Sequence, residues 1–292
     1  MSEGLSTRIL DHIVHLSPPG TLEDSADAFR KLGFTVTPGG THADGQTANA
    51  LIIFADGTYL ELLHFTHAPP ASTAHPWAHK PPGWIDYAFL GNAGTPSVAD
   101  TINRRAAADG SGVRYAPEVR GGRTRADDGR VLEWLITAPA PSEGNGTRAS
   151  ARGRLPFFCG DVTPREWRVP LEPRSNAEHA SKARGVAYVK LLVLPSELDA
   201  YAKELTSVLG VSPAASSASQ VVWELERQPS DSQPYQAPTL VLNAAEEYEE
   251  EIYVRERGAG IYELGVAVED AGKAGVAYTP YGRVVWQAIG SR

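Results

Sequence analysis

The chain has 292 residues, a formal net charge of -8 and a pI near 5.5, with 42% apolar and 21% charged residues. That length predicts about two domains with a sizeable core, and the acidic balance argues against a general nucleic-acid binder, which needs a basic surface to displace counterions. One cysteine, Cys159, excludes an internal disulfide and a Cys-based zinc cage; with a polar opening and no apolar run near the ~20 residues that span a bilayer, a cytoplasmic protein without a membrane partner is expected.

Arg8 to Leu16 reads as a half-buried strand, broken by Pro18-Pro19-Gly20. Thr21 to Leu32 reads as a helix, with Thr21 as cap, Glu23 and Asp24 in the first turn and Gly33 at the stop. Strands follow over Phe34–Thr37, Ala48–Phe54 and Thr58–Phe65, the last two joined at Asp56-Gly57, a tight-hairpin signal. The order is β-α-β-β-β. It recurs: a strand over Trp84–Leu90, a helix over Pro96–Asp109, then strands over Val113–Val119, Arg130–Thr137 and Leu155–Cys159, the last after a polar insertion over Pro141–Arg154. The sequon Asn145-Gly146-Thr147 in that insertion reads as a loop.

A third copy has a strand over Val186–Leu194, a helix over Ser196–Leu209 with a Ser-x-x-Asp cap pattern, and strands over Gln220–Glu226 and Pro238–Asn243. A fourth is degraded, with strands over Ile261–Val268, Val276–Tyr278 and Arg283–Ile289. The acidic run from Glu246 to Glu251 reads as a solvated helix face or loop. Repetition at this scale sets the fold class. It is α+β, with repeated βαβββ modules paired into cup-shaped, partly open β-barrels and helices outside. The expected domains are residues 8–169, with modules 8–66 and 83–162, and a degenerate second domain over 185–292. Pro170–Arg184 and Ser212–Ser219 are the candidate linkers.

Seven of the eight histidines precede residue 80; only His179 follows, in the expected linker. Imidazole with carboxylate suits borderline divalent metals. His12 sits on an apolar face of strand one with Leu10, Val14 and Leu16. Glu61 lies in Tyr59-Leu60-Glu61-Leu62-Leu63, apolar on both faces, so its carboxylate needs a cation, a hydrogen bond or a proton. On neighbouring strands the two could share one ion. Equally, Glu61 could pair with an arginine while His12 is a hydrogen-bonded core histidine.

Four segments together resemble the glyoxalase-like branch of the vicinal oxygen chelate superfamily: Leu10-Asp11-His12-Ile13-Val14, Gly39-Gly40-Thr41-His42, Asn49-Ala50-Leu51 and Tyr59-Leu60-Glu61-Leu62. Arg123-Thr124-Arg125 through Gly129, Leu132-Glu133-Trp134 and Leu155-Pro156-Phe157-Phe158 add to the likeness. It covers about residues 8 to 170; beyond that only the module pattern carries it. The resemblance implies a cup that holds a divalent metal (Zn, Mn, Fe, Co or Ni) on ligands from first and fourth strands, here His12 and Glu61. It departs from the pattern at Tyr87 and Tyr188, which stand where further first-strand ligands are expected, and in strand Leu155–Cys159, which offers no carboxylate, although Asp161 lies just beyond.

A third ligand or a catalytic group could come from His42, in a loop that could fold over the cup, with Glu61 as its catalytic partner. His64, His67, His75 and His79 read as surface residues. Arg123 and Arg125 could clamp an anionic substrate, or pair with Asp127 and Asp128 as solvated loop charges. Trp84, Tyr87, Phe89 and Trp134 could line the cup or simply pack the core. A nucleophilic Cys159 is disfavoured because no His lies near it in sequence.

Two functions follow. One is a metal-dependent isomerase, epimerase or lyase acting on a small oxygenated metabolite. The other is a metal-free protein of the same fold that binds or sequesters a small molecule. A ring-cleaving dioxygenase is weaker, since its iron site usually sits in the C-terminal domain and no histidine lies beyond the linker here. The C-terminal half would then cover the first domain or form a homodimer contact.

Overall fold

A computed structural model describes residues 5–125, 128–141, 152–229 and 236–290. The sequon Asn145-Gly146-Thr147, most of the polar insertion and Asp127 lie outside the described residues. The first module is β1 (Leu10–Ser17), α1 (Leu22–Lys31), β2 (Thr37–Thr41), β3 (Thr47–Ile53) and β4 (Tyr59–Phe65). The second is β5 (Gly83–Leu90), α2 (Val98–Asp109), β6 (Val119–Thr124), β7 (Val131–Thr137) and β8 (Phe157–Asp161), followed by the short helix α3 (Arg165–Arg168). The third is β9 (Ala183–Val193), α4 (Leu198–Leu209), β10 (Ala215–Ser216), β11 (Gln220–Glu224) and β12 (Thr239–Ala244). After α5 (Tyr248–Arg257), the reduced fourth keeps β13 (Gly260–Val268), β14 (Gly275–Thr279) and β15 (Gly282–Ala288).

The strands form two sheets, β2-β3-β4-β1-β5-β8-β7-β6 and β10-β11-β12-β9-β13-β15-β14. In each, two modules join through antiparallel first strands, β1 with β5 and β9 with β13. Within a module the first strand pairs in parallel with the last. The first sheet curls until its ends meet: His42 bridges Arg123, and the Ala43 amide donates to the Gly122 carbonyl at 2.9 Å. A nearly closed barrel results.

Each face has its own apolar set. Val14, Leu16, Leu63, Phe65, Trp134 and Phe157 point into the cup. The convex face, with Ile13, Phe29, Leu60, Tyr87 and Phe89, merges with Leu191, Tyr201, Trp223 and Leu264 of the second half in one continuous core. Helices α1, α2 and α4 thus lie outside the cups but inside the molecule, where α2 packs on α4.

Several boundaries differ from the sequence expectation. The strand expected at Phe34–Thr37 is Thr37–Thr41, and the one expected at Val113–Val119 is Val119–Thr124. Both are terminal strands of the sheet, held by backbone pairing rather than by an apolar face. Thr21 precedes α1 but its hydroxyl donates to the Pro18 carbonyl instead of capping. Ser196 falls in a 3-10 turn, so the Ser-x-x-Asp pattern does not cap α4. The Asp56-Gly57 turn forms as expected: Gly57 has φ 85°, and Asp56 Oδ1 accepts from the Thr58 amide and hydroxyl. Among the described residues no helix is long and apolar enough to cross a membrane.

Two buried histidines tie later segments of the chain to the first module. His15 Nε2 lies 3.1 Å from Thr279 Oγ1, packed edge-on against Phe29 and Trp84. His179 accepts from the Thr35 amide at Nδ1 and so donates from Nε2 to the Ile53 carbonyl. That pairing requires the neutral ring. Burial pushes the His179 pKa from 6.5 down to about 4. The folded state therefore binds its proton less readily than the unfolded chain. The His179 contribution is complete above pH 6.5 and is lost as pH falls towards 4. Denaturant melts of wild type and His179→Gln across this window should show a wild-type excess loss of about 3 kcal/mol. Gln can make both hydrogen bonds without titrating, so the variant's curve should be flatter.

Candidate functional site

The cup encloses a cavity of about 650 Å3. Its floor depends on an irregularity in the β1–β5 pair. Leu10 pairs with Phe89 and His12 with Ala88, so Asp11 is an extra residue, a bulge. Alternation would send Asp11 and His12 to opposite faces; the bulge lets the two side chains meet, Asp11 Oδ2 lying 2.7 Å from His12 Nδ1. It also parts Leu10 from His12: Leu10 packs in the convex core, contrary to the single face expected for both.

Asp11 is fully buried. Burial alone would raise its pKa, but Arg165 at 2.6 Å, Arg168 at 3.0 Å and His12 hold it well below the usual carboxylate range. An ionised carboxylate only accepts, so His12 Nδ1 carries the hydrogen, and in the neutral ring Nε2 presents a lone pair. The ring stacks on Tyr59, its register partner on β4, with centroids 4.6 Å apart.

Glu61, two residues further along β4, faces the same side and is buried. Its Oε1 accepts from Asn49 Nδ2 at 2.6 Å. His12 Nε2 lies 3.8 Å from Oε2, and His42 Nε2 lies 3.6 Å from Oε1. Both exceed hydrogen-bond length. His42 is placed by the seam beside Arg123 and by Thr47 Oγ1, 2.6 Å from its Nδ1. Burial lowers its pKa, although Glu61 pulls the other way, and this favours the neutral ring. Gly39 is required here: a Cβ would strike the Asn49 side chain that holds Glu61.

The other expected site residues are distributed unevenly. Trp134 forms part of the wall, edge-on to His42. Arg123 is a strand residue with 4% exposure that faces the cup and donates from Nη1 to the Gly39 carbonyl at 2.6 Å, not a solvated loop charge. Arg125 lies outside the wall and pairs with Asp128 at 3.4 Å, so no two-arginine clamp forms. Tyr87 is not in the cup. It is fully buried on the convex side and its hydroxyl donates to the Arg154 carbonyl. Trp84 and Phe89 share that side. His75, expected at the surface, lies in the cavity wall against Phe65 and Trp77. His64 points away, as alternation from Glu61 requires, and accepts from the Gly20 amide. Cys159 lines the cup, but burial pushes its thiol far above the ordinary range, which leaves it inert.

Register also corrects the module alignment. The pairs His12–Ala88, Ile13–Tyr87 and Val14–Asp86 exchange about a pseudo-twofold through the middle pair. The counterpart of His12 is therefore Asp86, and Tyr87 matches Ile13. Val14 neighbours Glu61 and Ala88 neighbours Phe157, so the counterpart of Glu61 is Phe157. Asp86 is committed to structure: it accepts from Trp77 Nε1 and Arg152 Nε, each at 2.7 Å. Asp161 is likewise tied to Arg168 at 2.5 Å. Sequence reading missed Asp11, Asn49, Arg152 and Arg168. Asp11 and Asn49 sat inside the quoted motifs; nothing local marked the two arginines.

The donor set of one carboxylate and two imidazoles, each with its Nδ1 tied back, suits a borderline divalent ion. It is open rather than a cage, and among the described residues no three such side chains stand as a ready-made metal site.

The family described as a glyoxalase-like domain matches residues 10–209. The chain belongs to that family. That agrees with the glyoxalase-like resemblance read from the sequence. No curated protein matches. Among solved structures, a hypothetical protein from Staphylococcus aureus is similar at TM-score 0.66 and 10% identity, over 96% of this chain and 99% of that one. A triple mutant of 4-hydroxymandelate synthase from Streptomyces coelicolor gives TM-score 0.49 and 11% identity, over 91% and 72%. A xylose isomerase-like TIM barrel/4-hydroxyphenylpyruvate dioxygenase fusion protein gives 0.48 and 13%, over 91% and 38%. At such identities the likeness to the Staphylococcus aureus protein concerns the fold, and the other two carry no argument.

Arg168 donates to Asp11, Asp161 and the Tyr59 hydroxyl from a buried position. Removing one member of a buried ion pair typically costs 3–5 kcal/mol. Arg168→Met should lose about that much in chemical denaturation, whereas Arg174→Met, at an exposed pair, should lose almost nothing.

Proposed function

We propose that the first cup is the active site of a metal-dependent isomerase, epimerase or lyase acting on a small oxygenated metabolite, within a domain spanning residues 8–169. One observation carries this reading. A buried carboxylate, Glu61, stands between two imidazole nitrogens at 3.6 and 3.8 Å in a cavity large enough for a small molecule. A structural carboxylate would be closed by an arginine, as Asp86 and Asp161 are; among the described residues Glu61 has only the Asn49 amide at hydrogen-bond distance.

His12 and Glu61 would hold the ion, which when bound would polarise a substrate oxygen as a Lewis acid. Glu61 and His42 are the proton carriers. Glu61 accepts the proton from a carbon next to the substrate carbonyl, and the electron pair moves onto the oxygen as an enolate. Return of the proton to the other face or to the neighbouring carbon gives an epimer or an isomer; loss of a leaving group instead gives a lyase. Asn49 keeps Glu61 aimed, and the neutral His42 is close enough to the same carboxylate to take or return the proton.

The second reading, a metal-free binding or sequestering protein, is favoured by the missing cage and by Asp86 and Phe157 at the counterpart positions. Elemental analysis separates the two. Wild-type protein offered Mn, Fe(II), Co, Ni or Zn should retain about one equivalent, which His12→Ala and Glu61→Gln should lose. Absence of metal in wild type after that exposure makes the binding protein the leading reading.

A further inference from the structure

We infer that the cup selects a singly charged carboxylic acid with an apolar body, its carboxylate seated on Arg123. This rests on the reading of the cup as a small-molecule site and names the class of molecule it takes. The cationic side chains in the wall are not equivalent. Arg168 is neutralised by Asp11 and Asp161, Arg152 pairs with Asp86 at 2.7 Å, and the exposed Arg120 lies 3.8 Å from Glu133. Arg123 alone among them has no carboxylate within ion-pair distance among the described residues. Its one acceptor is the Gly39 carbonyl.

A guanidinium has five N–H donors in a planar fork. One backbone carbonyl leaves most of that fork unanswered at a side chain with 4% exposure. Burial lowers the Arg123 pKa, the mark of a cation short of solvation, with Tyr59 and Glu61 partly offsetting it. A buried cation in that state favours an anion from the cavity. The hydrogen bond to Gly39 makes Arg123 a clasp between β2 and β6, but a clasp uses one donor and needs no charge.

The charge balance sets the valence. Among the described residues of the wall, Arg123 lacks a carboxylate partner while Glu61 and the exposed Asp44 lack a cationic one, so in the metal-free protein a phosphate dianion meets more repulsion than a monoanion. The rest of the wall supplies the apolar contact through Tyr59, Trp77, Trp134 and Phe157. The chain as a whole carries -8, so selection of an acid is a local property of the cup.

The test uses full-length protein freed of metal by chelation and three probes of one shape: phenylacetate, phenylacetamide and phenyl phosphate, titrated by calorimetry. Phenylacetate should bind wild type at least about tenfold more tightly than either other probe. Arg123→Gln should bring acid and amide to equal affinity. Arg123→Lys should keep part of the preference, and Arg30→Gln, a surface change on α1, should keep all of it. Equal binding of acid and amide by wild type overturns the inference. So do tighter binding of phenyl phosphate, an undiminished preference in Arg123→Gln, or no binding of phenylacetate at all. If Arg123→Gln fails to fold, the wild-type ranking and Arg123→Lys still decide. Metal retention lost in Glu61→Gln with no acid preference leaves the proposed reaction standing and removes the ligand class. Acid preference without any bound metal does the reverse.

Discussion

The antiparallel pairing of β1 with β5 is the constraint on which the first half depends. It joins two modules that could not close a sheet alone, and its register break at Asp11 turns two adjacent side chains towards one cavity. Without the break, His12 would still reach the cup, but the carboxylate that fixes its tautomer would point into the apolar core. A buried carboxylate there is tolerable only when answered by cations. Arg165 and Arg168 supply them from α3, a helix of four residues placed just after the last strand of the second module. The far end of one module thus stabilises the first strand of the other. Folding of the pair and orientation of His12 are the same event.

Much of this architecture is legible in the sequence, because long segments with strong periodicity and punctuation are governed by local rules. The helices at Leu22–Lys31 and Val98–Asp109, the Asp56-Gly57 hairpin and the module order all follow from such rules. What is not legible depends on partners. The terminal strands Thr37–Thr41 and Val119–Thr124 contain Pro38-Gly39-Gly40 and Gly121-Gly122, which read as loop. They are strands because a neighbour offers backbone groups and because Gly39 and Gly121 leave room for Asn49 and Trp134. A one-residue bulge leaves no compositional trace, so Tyr87 was matched to His12 where register selects Asp86. The pairing of His12 and Glu61 was accessible, since both lie on apolar strands that the module makes neighbours. The approach of His42 and Arg123 was not, because it depends on how far the sheet curls.

The two halves apply the same positions to different ends. In the second sheet the central pairs Tyr188–Gly265 and Lys190–Glu263 make Tyr188 the counterpart of Glu263, as His12 is of Asp86. There the polar groups are mutually satisfied: the Tyr188 hydroxyl donates to Glu263 Oε1 at 2.5 Å, and Arg283 pairs with Oε2 at 2.6 Å. Helix α5 packs beside β9 and β13, with Val254 buried against Leu192 and Ala245. That arrangement is what a stable protein does with buried charge when no ligand is involved. The Glu263 carboxylate is answered on both oxygens by groups of the chain.

The first cup breaks that rule in a graded way. Asp11, Asp86 and Asp161 are answered by arginines, so the chain has the means to neutralise carboxylates in this wall. Glu61 is left with one amide and two imidazoles beyond hydrogen-bond reach, and Arg123 is left with one carbonyl. The two incompletely satisfied groups carry opposite charges, yet no ion pair joins them. A direct Arg123–Glu61 salt bridge would have closed the site at little expense in fold. That leaves an acceptor and a cation available to a third species, with Tyr59, Trp77, Trp134 and Phe157 of the same wall offering it apolar contact. The stability forgone by leaving both groups open distinguishes this cup from the second sheet, and it is the physical ground for proposing the first as the binding site.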